Sequence, residues 1–373
     1  MTSGNASTPG SPAARRHFHT FDALRFFAFL KVFLLHVPII AFPWFNYVRA
    51  GGGIGVQFFF VLSGFLITYI ICEEKARTGQ LNLKNFFVRR ILRIWPLYYL
   101  MVAVAYITPY ILEHFLHLPS SGEGYRPNIW VSVLFLENYK MMATGQHANV
   151  SPLSVMWTLC IEEHFYIVWG LLLYYLNLKD LPKLIVACLL AGLVCRMVYV
   201  ANNIPTSDLF TNIDLFAYGA IPAYLLIAKG EQVDVAINKI PYWAKLMFIV
   251  SLLLTILVCS QYKTDKDYVA ITSLLGLLFS LLIMLILPEN NRLKIGDKNV
   301  LSRAGVYTYG LYLYHTLVIN LLKQVYSKQN ISLDNAASAI AFFVLALTAT
   351  LLCSVLSYYL FEKPFLRLKK YFR

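Results

Sequence analysis

His36 follows Arg25 by eleven residues in a stretch, 21–40, that is otherwise apolar and long enough to cross a membrane. On a helix rising 1.5 Å per residue, this spacing puts the two side chains on nearly one face and roughly 16 Å apart. A guanidinium suits phosphate or carboxylate, and an imidazole is the group best placed to accept a proton near neutral pH. Ionisable groups inside a bilayer cost several kcal/mol, so they mark a buried polar site rather than a lipid-facing surface. Asp22 lies one turn before Arg25, whereas Lys31 sits about 120° away round the helix and is expected to snorkel or pair elsewhere.

Three further places carry chemistry. Arg90 and Arg93, three apart and on one helix face, offer forked donors to an anion at the same surface as Arg25. Glu162 and Glu163 enter a later span from the opposite side; pointing about 100° apart, they cannot both face one partner. One is expected to orient His36 or another polar group, the other to lie at the interface. The glycine-rich run 51–66 permits close backbone approach, and Tyr312-Leu-Tyr-His315 supplies another midspan imidazole, more often structural than catalytic when taken alone.

These residues need a membrane scaffold, and the composition supplies it: 58% of the chain is hydrophobic and only 14% charged, against about a quarter charged in soluble domains. The expected fold is an all-α integral membrane protein of about ten transmembrane helices, at 21–40, 53–72, 91–112, 155–176, 182–201, 209–228, 242–260, 268–287, 303–323 and 336–361. The apolar patch 130–136 is too short to span and reads as interfacial or re-entrant, within a longer segment, 113–154, that could cover the outer mouth of a site.

With Arg25, Lys31 and Arg196 left within spans, the side holding the N-terminus carries 22 of the 32 Lys and Arg and the other side 7, which predicts both termini cytoplasmic. That asymmetry accounts for the +13 net charge without nucleic acid. Residues 1–14 read as a disordered cytoplasmic tail and 15–373 as a single membrane domain, with no signal peptide and no appended soluble domain. The six cysteines lack ligand spacing and read as packing residues; no metal site is evident.

Taken in order, several segments resemble the acyltransferase family 3 membrane proteins: Asp22-Ala-Leu-Arg25 leading to His36, the stretch ending Phe-Phe-Val-Leu-Ser-Gly-Phe, residues 89–96, 157–166, 309–315 and Glu362-Lys-Pro. The resemblance covers most of the chain. It implies transfer of an acyl group, usually acetyl, from cytoplasmic acyl-CoA to a hydroxyl of a sugar, glycolipid or envelope polysaccharide such as lipopolysaccharide or peptidoglycan, in the inner (cytoplasmic) membrane. No permanently bound cofactor is implied. Arg25 and His36 match the family's essential Arg and His, Arg90 and Arg93 its basic motif, and Glu162 its carboxylate. Gln57 stands where Asp is usual, Ala23 and Phe26 where glycines are frequent, and His164 where Gln is common; these departures bear on the acceptor. Lacking the hydrolase-like domain some members append, the chain should complete transfer within the membrane.

The mechanism so implied has Arg25, Arg90 and Arg93 hold the donor's phosphates, while His36, aligned by Glu162 and with Asp22 beside Arg25, takes the acceptor proton. Direct attack and an acyl-enzyme on His36 or a nearby serine both remain open. The rival from another class is a proton-coupled secondary transporter of a glycolipid or organic anion using the same charges, although no matching halves are visible.

Overall fold

The computed structural model describes residues 16, 18–115, 123–261 and 264–372, so the expected tail at 1–14 lies outside the described residues. Among them are fifteen α-helices and no strand: α1 (Thr20–His36), α2 (Pro43–Arg49), α3 (Gly53–Thr78), α4 (Leu83–His114), α5 (Ile129–Val133), α6 (Glu137–Thr144), α7 (Leu153–Tyr175), α8 (Leu181–Ala201), α9 (Ile213–Lys239), α10 (Tyr242–Cys259), α11 (Asp265–Ile286), α12 (Val300–Gly305), α13 (Thr308–Lys328), α14 (Ala336–Ser357) and α15 (Lys363–Leu368). Eight of these, α3, α4, α7, α8, α9, α10, α11 and α14, are long and apolar enough to cross a membrane. The chain is an all-α integral membrane protein. The other two expected spans correspond to α1 and α13, which carry buried polar groups of the site.

Three boundaries depart from expectation for local reasons. α1 stops at His36 instead of running to residue 40, because Pro38 forces Val37 into extended backbone (φ −66°, ψ 126°). His36 is therefore the last residue of its helix. The stretch 303–323 is not one span: α12 ends at Gly305 and α13 restarts at Thr308. α4 runs through Pro96 and Pro109 for 32 residues, which neighbouring polar groups and helices permit in a membrane.

Close helix contact sets the frame. A methyl group at Gly64 of α3 would overlap the Phe216 carbonyl of α9, and one at Gly305 would overlap the backbone of Asp22. The first contact locks α3 onto α9; the second seats the α12–α13 break against the start of α1, next to Arg25. Lys31 donates to the Val48 and Ala50 carbonyls at 2.7 Å each, tying α2 beneath the end of α1. The patch expected to be interfacial is the five-residue α5, whose Trp130 is 70% exposed. Tyr98 of α4 donates to the Ser132 carbonyl at 2.7 Å and Tyr99 to that of Val133 at 3.1 Å, holding α5 against the bundle.

Candidate active site

α1, α3, α4, α7, α12 and α13 enclose a cavity of about 150 Å³ lined by Asp22, Arg25, Ser63, Arg90, Arg93, Thr158, Glu162, Glu163, Tyr166, Tyr309 and Tyr312 among apolar side chains. The end of the bundle where α1 starts is termed the near end, and the end holding His36 the far end. Arg93 is exposed and stands at the cavity's mouth, while Arg25 and Arg90 are half-buried in its wall.

The sequence candidates divide into two groups. Asp22, Arg25, Arg90, Arg93 and Glu162 do converge. Arg25 donates to Asp22 one turn below it, so Asp22 fixes that guanidinium. The Arg90 guanidinium lies over the rings of Phe86 and Tyr166, 5.9 Å from each centroid, and its buried Nε has no hydrogen-bond partner. Among the described residues neither Arg90 nor Arg93 forms an ion pair, whereas Arg89 is taken up by Glu74 at 2.9 Å. Lys369, on the segment after α15, lies within electrostatic reach of Arg89, Arg90 and Arg93 and also lacks an ion pair. Two cavity-lining arginines and a lysine within their electrostatic reach are thus gathered with no carboxylate in contact among the described residues, an arrangement that invites a polyanion.

His36 is not in that cavity lining, and Glu162 does not align it. Glu162 instead accepts from Tyr166 Oη at 2.7 Å and from Ser63 Oγ at 3.3 Å. The physical reason is depth: α7 starts at the far end, and nine residues of rise carry Glu162 toward the arginines. Glu163 is not interfacial either; it is 7% exposed and accepts from Trp95 Nε1 at 3.1 Å. His36 finds another imidazole: its Nδ1 lies 3.3 Å from Nε2 of the fully buried His315 and 2.9 Å from the Val32 carbonyl. The outer segment does reach this place, since His147 and Arg49 are close enough to act electrostatically on the His36 ring.

Between the cavity and the imidazole pair stands Tyr312. Its Oη lies 2.7 Å from Thr158 Oγ1, and both hydroxyls reach the Val155 carbonyl, at 3.1 and 3.2 Å. Tyr312 lines the cavity on one side, and its ring centroid is 5.6 Å from that of His315 on the other. The site is therefore a cation-lined cavity opening at the near end, a tyrosine partition, and a histidine pair toward the far end. Sequence reasoning gave no role to Ser63, Tyr166, Tyr312 or Lys369; the first three lie in segments it marked, the Ser-Gly stretch, 157–166 and 309–315, while Lys369 carried no signal beyond its charge.

A multi-pass helical membrane protein with a buried arginine cavity and an adjacent imidazole could be an enzyme acting on an activated anionic donor. The comparisons identify which kind: the acyltransferase domain family (acyltransferase family 3) matches residues 18–359, and the chain belongs to it. It is 28% identical over 365 residues to a Bacillus subtilis protein provisionally named as the peptidoglycan O-acetyltransferase YrhL, and 28% identical over 364 residues to the peptidoglycan O-acetyltransferase OatA of Listeria monocytogenes. A Staphylococcus aureus protein provisionally named as an O-acetyltransferase is 26% identical over 367 residues. Each alignment takes in 94% of this chain but only 55%, 56% and 57% of those relatives, so the chain spans a little over half their length. No solved structure matches it.

Proposed function

We propose that this membrane protein moves an acetyl group from acetyl-CoA, bound at the near end, to a hydroxyl of an envelope glycan at the far end, with His36 as general base. The observation that carries this reading is the pairing of three cations, without ion-pair partners among the described residues, with a narrow cavity whose lining Tyr312 packs against His315, the partner of His36. A cavity of about 150 Å³ is small beside the roughly 300–1,000 Å³ of whole-ligand pockets. It suits a slim thioester tail whose phosphate-bearing head stays at the mouth with Arg90, Arg93 and Lys369. The bias of Lys and Arg makes that end cytoplasmic, where acyl-CoA would be met. Peptidoglycan is the acceptor favoured by the names of the relatives, ahead of lipopolysaccharide.

In the reaction the acceptor O–H proton passes to His36, the oxygen attacks the thioester carbonyl, the C–S bond breaks, and the thiolate leaves with a proton. Should transfer pass through an acyl-enzyme, Ser63 is the serine in position, lining the cavity and donating to Glu162. The test is acetyl transfer from radiolabelled acetyl-CoA to solubilised peptidoglycan fragments by the purified protein. Wild type should label the glycan. His36→Ala should lose at least about a hundredfold in turnover while still binding acetyl-CoA, and wild-type turnover in that variant would sink the base assignment. Transport of acetyl-CoA or glycan across vesicles without chemistry would favour the carrier instead.

A further inference from the structure

His315 is the most deeply buried imidazole of the site, at 0% exposure, and neither of its ring nitrogens faces solvent. Its Nδ1 lies 2.6 Å from the Tyr312 carbonyl oxygen, which can only accept, so that nitrogen carries the proton. A neutral ring protonated at Nδ1 leaves Nε2 as a lone pair, and this lone pair faces Nδ1 of His36 at 3.3 Å. The Val32 carbonyl, 2.9 Å from the same His36 nitrogen, makes the same demand. Two acceptors converge on His36 Nδ1, so His36 must carry its proton there and hold Nε2 free. The surroundings reinforce the arrangement: Phe29 stands edge-to-face against His315 at 5.9 Å, and the two imidazoles meet at 75°, leaving little room for rotation.

We propose that His315 is a positioning residue that, through a directed chain from the Tyr312 carbonyl, fixes the tautomer and orientation of His36 so that His36 Nε2 is the nitrogen presented to the acceptor hydroxyl. The inference deepens the reading of His36 as general base and rests on it. When the acceptor proton moves to Nε2, His36 becomes an imidazolium whose Nδ1–H bond to His315 becomes charge-assisted, so the contact strengthens as the barrier is crossed. The logic is that of an orienting group behind a catalytic histidine, supplied here by a second neutral imidazole instead of a carboxylate. Glu162, the carboxylate expected in that place, is occupied with Ser63 and Tyr166.

The two amide substitutions separate the two nitrogens of His315. In His315→Gln the side-chain oxygen falls near the position of Nε2 and can accept from His36; in His315→Asn the amide falls near Nδ1 and satisfies only the Tyr312 carbonyl. With acetyl-CoA and solubilised peptidoglycan fragments as probes, His315→Gln should keep kcat within about threefold of wild type. His315→Asn should lose about thirtyfold or more, somewhat less than the roughly hundredfold minimum of positioned proton transfer, because the base stays in place and only its orientation is released. Both should keep KM for acetyl-CoA within about twofold, because the donor's phosphates bind elsewhere. Equal kcat in the two variants, at any level, or a more active Asn variant, overturns the proposal.

A second measurement does not depend on activity. In protein labelled with ¹⁵N-histidine, the His36 signals, assigned by their loss in His36→Ala, should report the proton on Nδ1; a proton on Nε2 overturns the proposal even if the enzyme is active. If wild type transfers no acetyl group, the function reading fails, and this spectrum alone decides the positioning role. It decides equally if either amide variant does not fold.

Discussion

Two sets of arginines, one fully buried and one at the cavity, teach opposite lessons. Arg196 of α8 is 0% exposed and saturated at its ends: it pairs through both terminal nitrogens with Asp214 of α9, and donates to the Thr211 carbonyl at 2.8 Å and to Ser273 Oγ of α11 at 3.0 Å. Gly192 lets Asp214 approach closely. This cluster fastens α8, α9 and α11 together, and none of its four residues lines the cavity. Arg90 and Arg93 are less buried, yet among the described residues no carboxylate forms an ion pair with them. A buried charge thus marks architecture when a carboxylate is already in place against it, as Asp214 is against Arg196; a charge placed at a cavity without one marks a place for something that arrives later.

The comparison breaks most visibly at Asp214. Replacing it by Ala leaves Arg196 buried and uncompensated, and should cost about 3–5 kcal/mol of stability. Thermal unfolding in detergent should show the loss, with the specific activity of the remaining folded protein unchanged. The double change Arg196→Met with Asp214→Leu should recover most of it, because an apolar pair of similar volume avoids the desolvation penalty. A stable but inactive Asp214→Ala protein would erase the distinction and make the α8–α9 cluster part of the machinery.

Arg93→Ala should behave in the reverse way. Stability should hardly change, since among the described residues no carboxylate pairs with this side chain, while a charge-assisted contact to the donor, worth about 1.5–3 kcal/mol, is lost. Acetyl-CoA affinity should fall about ten- to hundredfold, read directly by equilibrium binding, with kcat at saturation little altered. An unchanged donor affinity beside a lowered melting temperature would make Arg93 another Arg196.

The near half of this site was legible from spacing because its logic is local. Asp22 and Arg25 are one turn apart, Arg90 and Arg93 share a face, and apolar length alone brings their helices to the same surface. The far half was not legible because its logic is tertiary. His36 and His315 are 279 residues apart in sequence, and each alone reads as a core histidine; they meet only because Pro38 ends α1 at His36 and Gly305 seats the α12–α13 break against Asp22. Glu162 lines the cavity, but its partners are Ser63 and Tyr166 and not the expected His36. A helix wheel gives the face of a residue, but whether it meets His36 or Ser63 depends on how far α7 slides past α1 and α3.

The smallest expected effect lies at Lys369. It shares with Arg90 and Arg93 the lack of an ion pair, but it is on a terminal segment fixed to α4 by contacts such as Arg89 Nη1 donating to the Phe372 carbonyl at 2.7 Å. Such a flexible, half-exposed ammonium acts as a point charge in solvent, without the forked geometry of the two arginines. Lys369→Gln should therefore weaken acetyl-CoA binding by only about two- to fivefold, the range of partly screened charge pairs. That difference should shrink further as salt is raised from about 0.05 to 0.5 M, since exposed charges are screened within a few ångströms at high ionic strength. The Arg93→Ala deficit, arising from directed hydrogen bonds, should survive the same salt. If both deficits vanish together, the arginine acts only as charge and its geometry carries no part of recognition; if Lys369→Gln matches Arg93→Ala at high salt, the terminal segment holds the donor as firmly as the helix does.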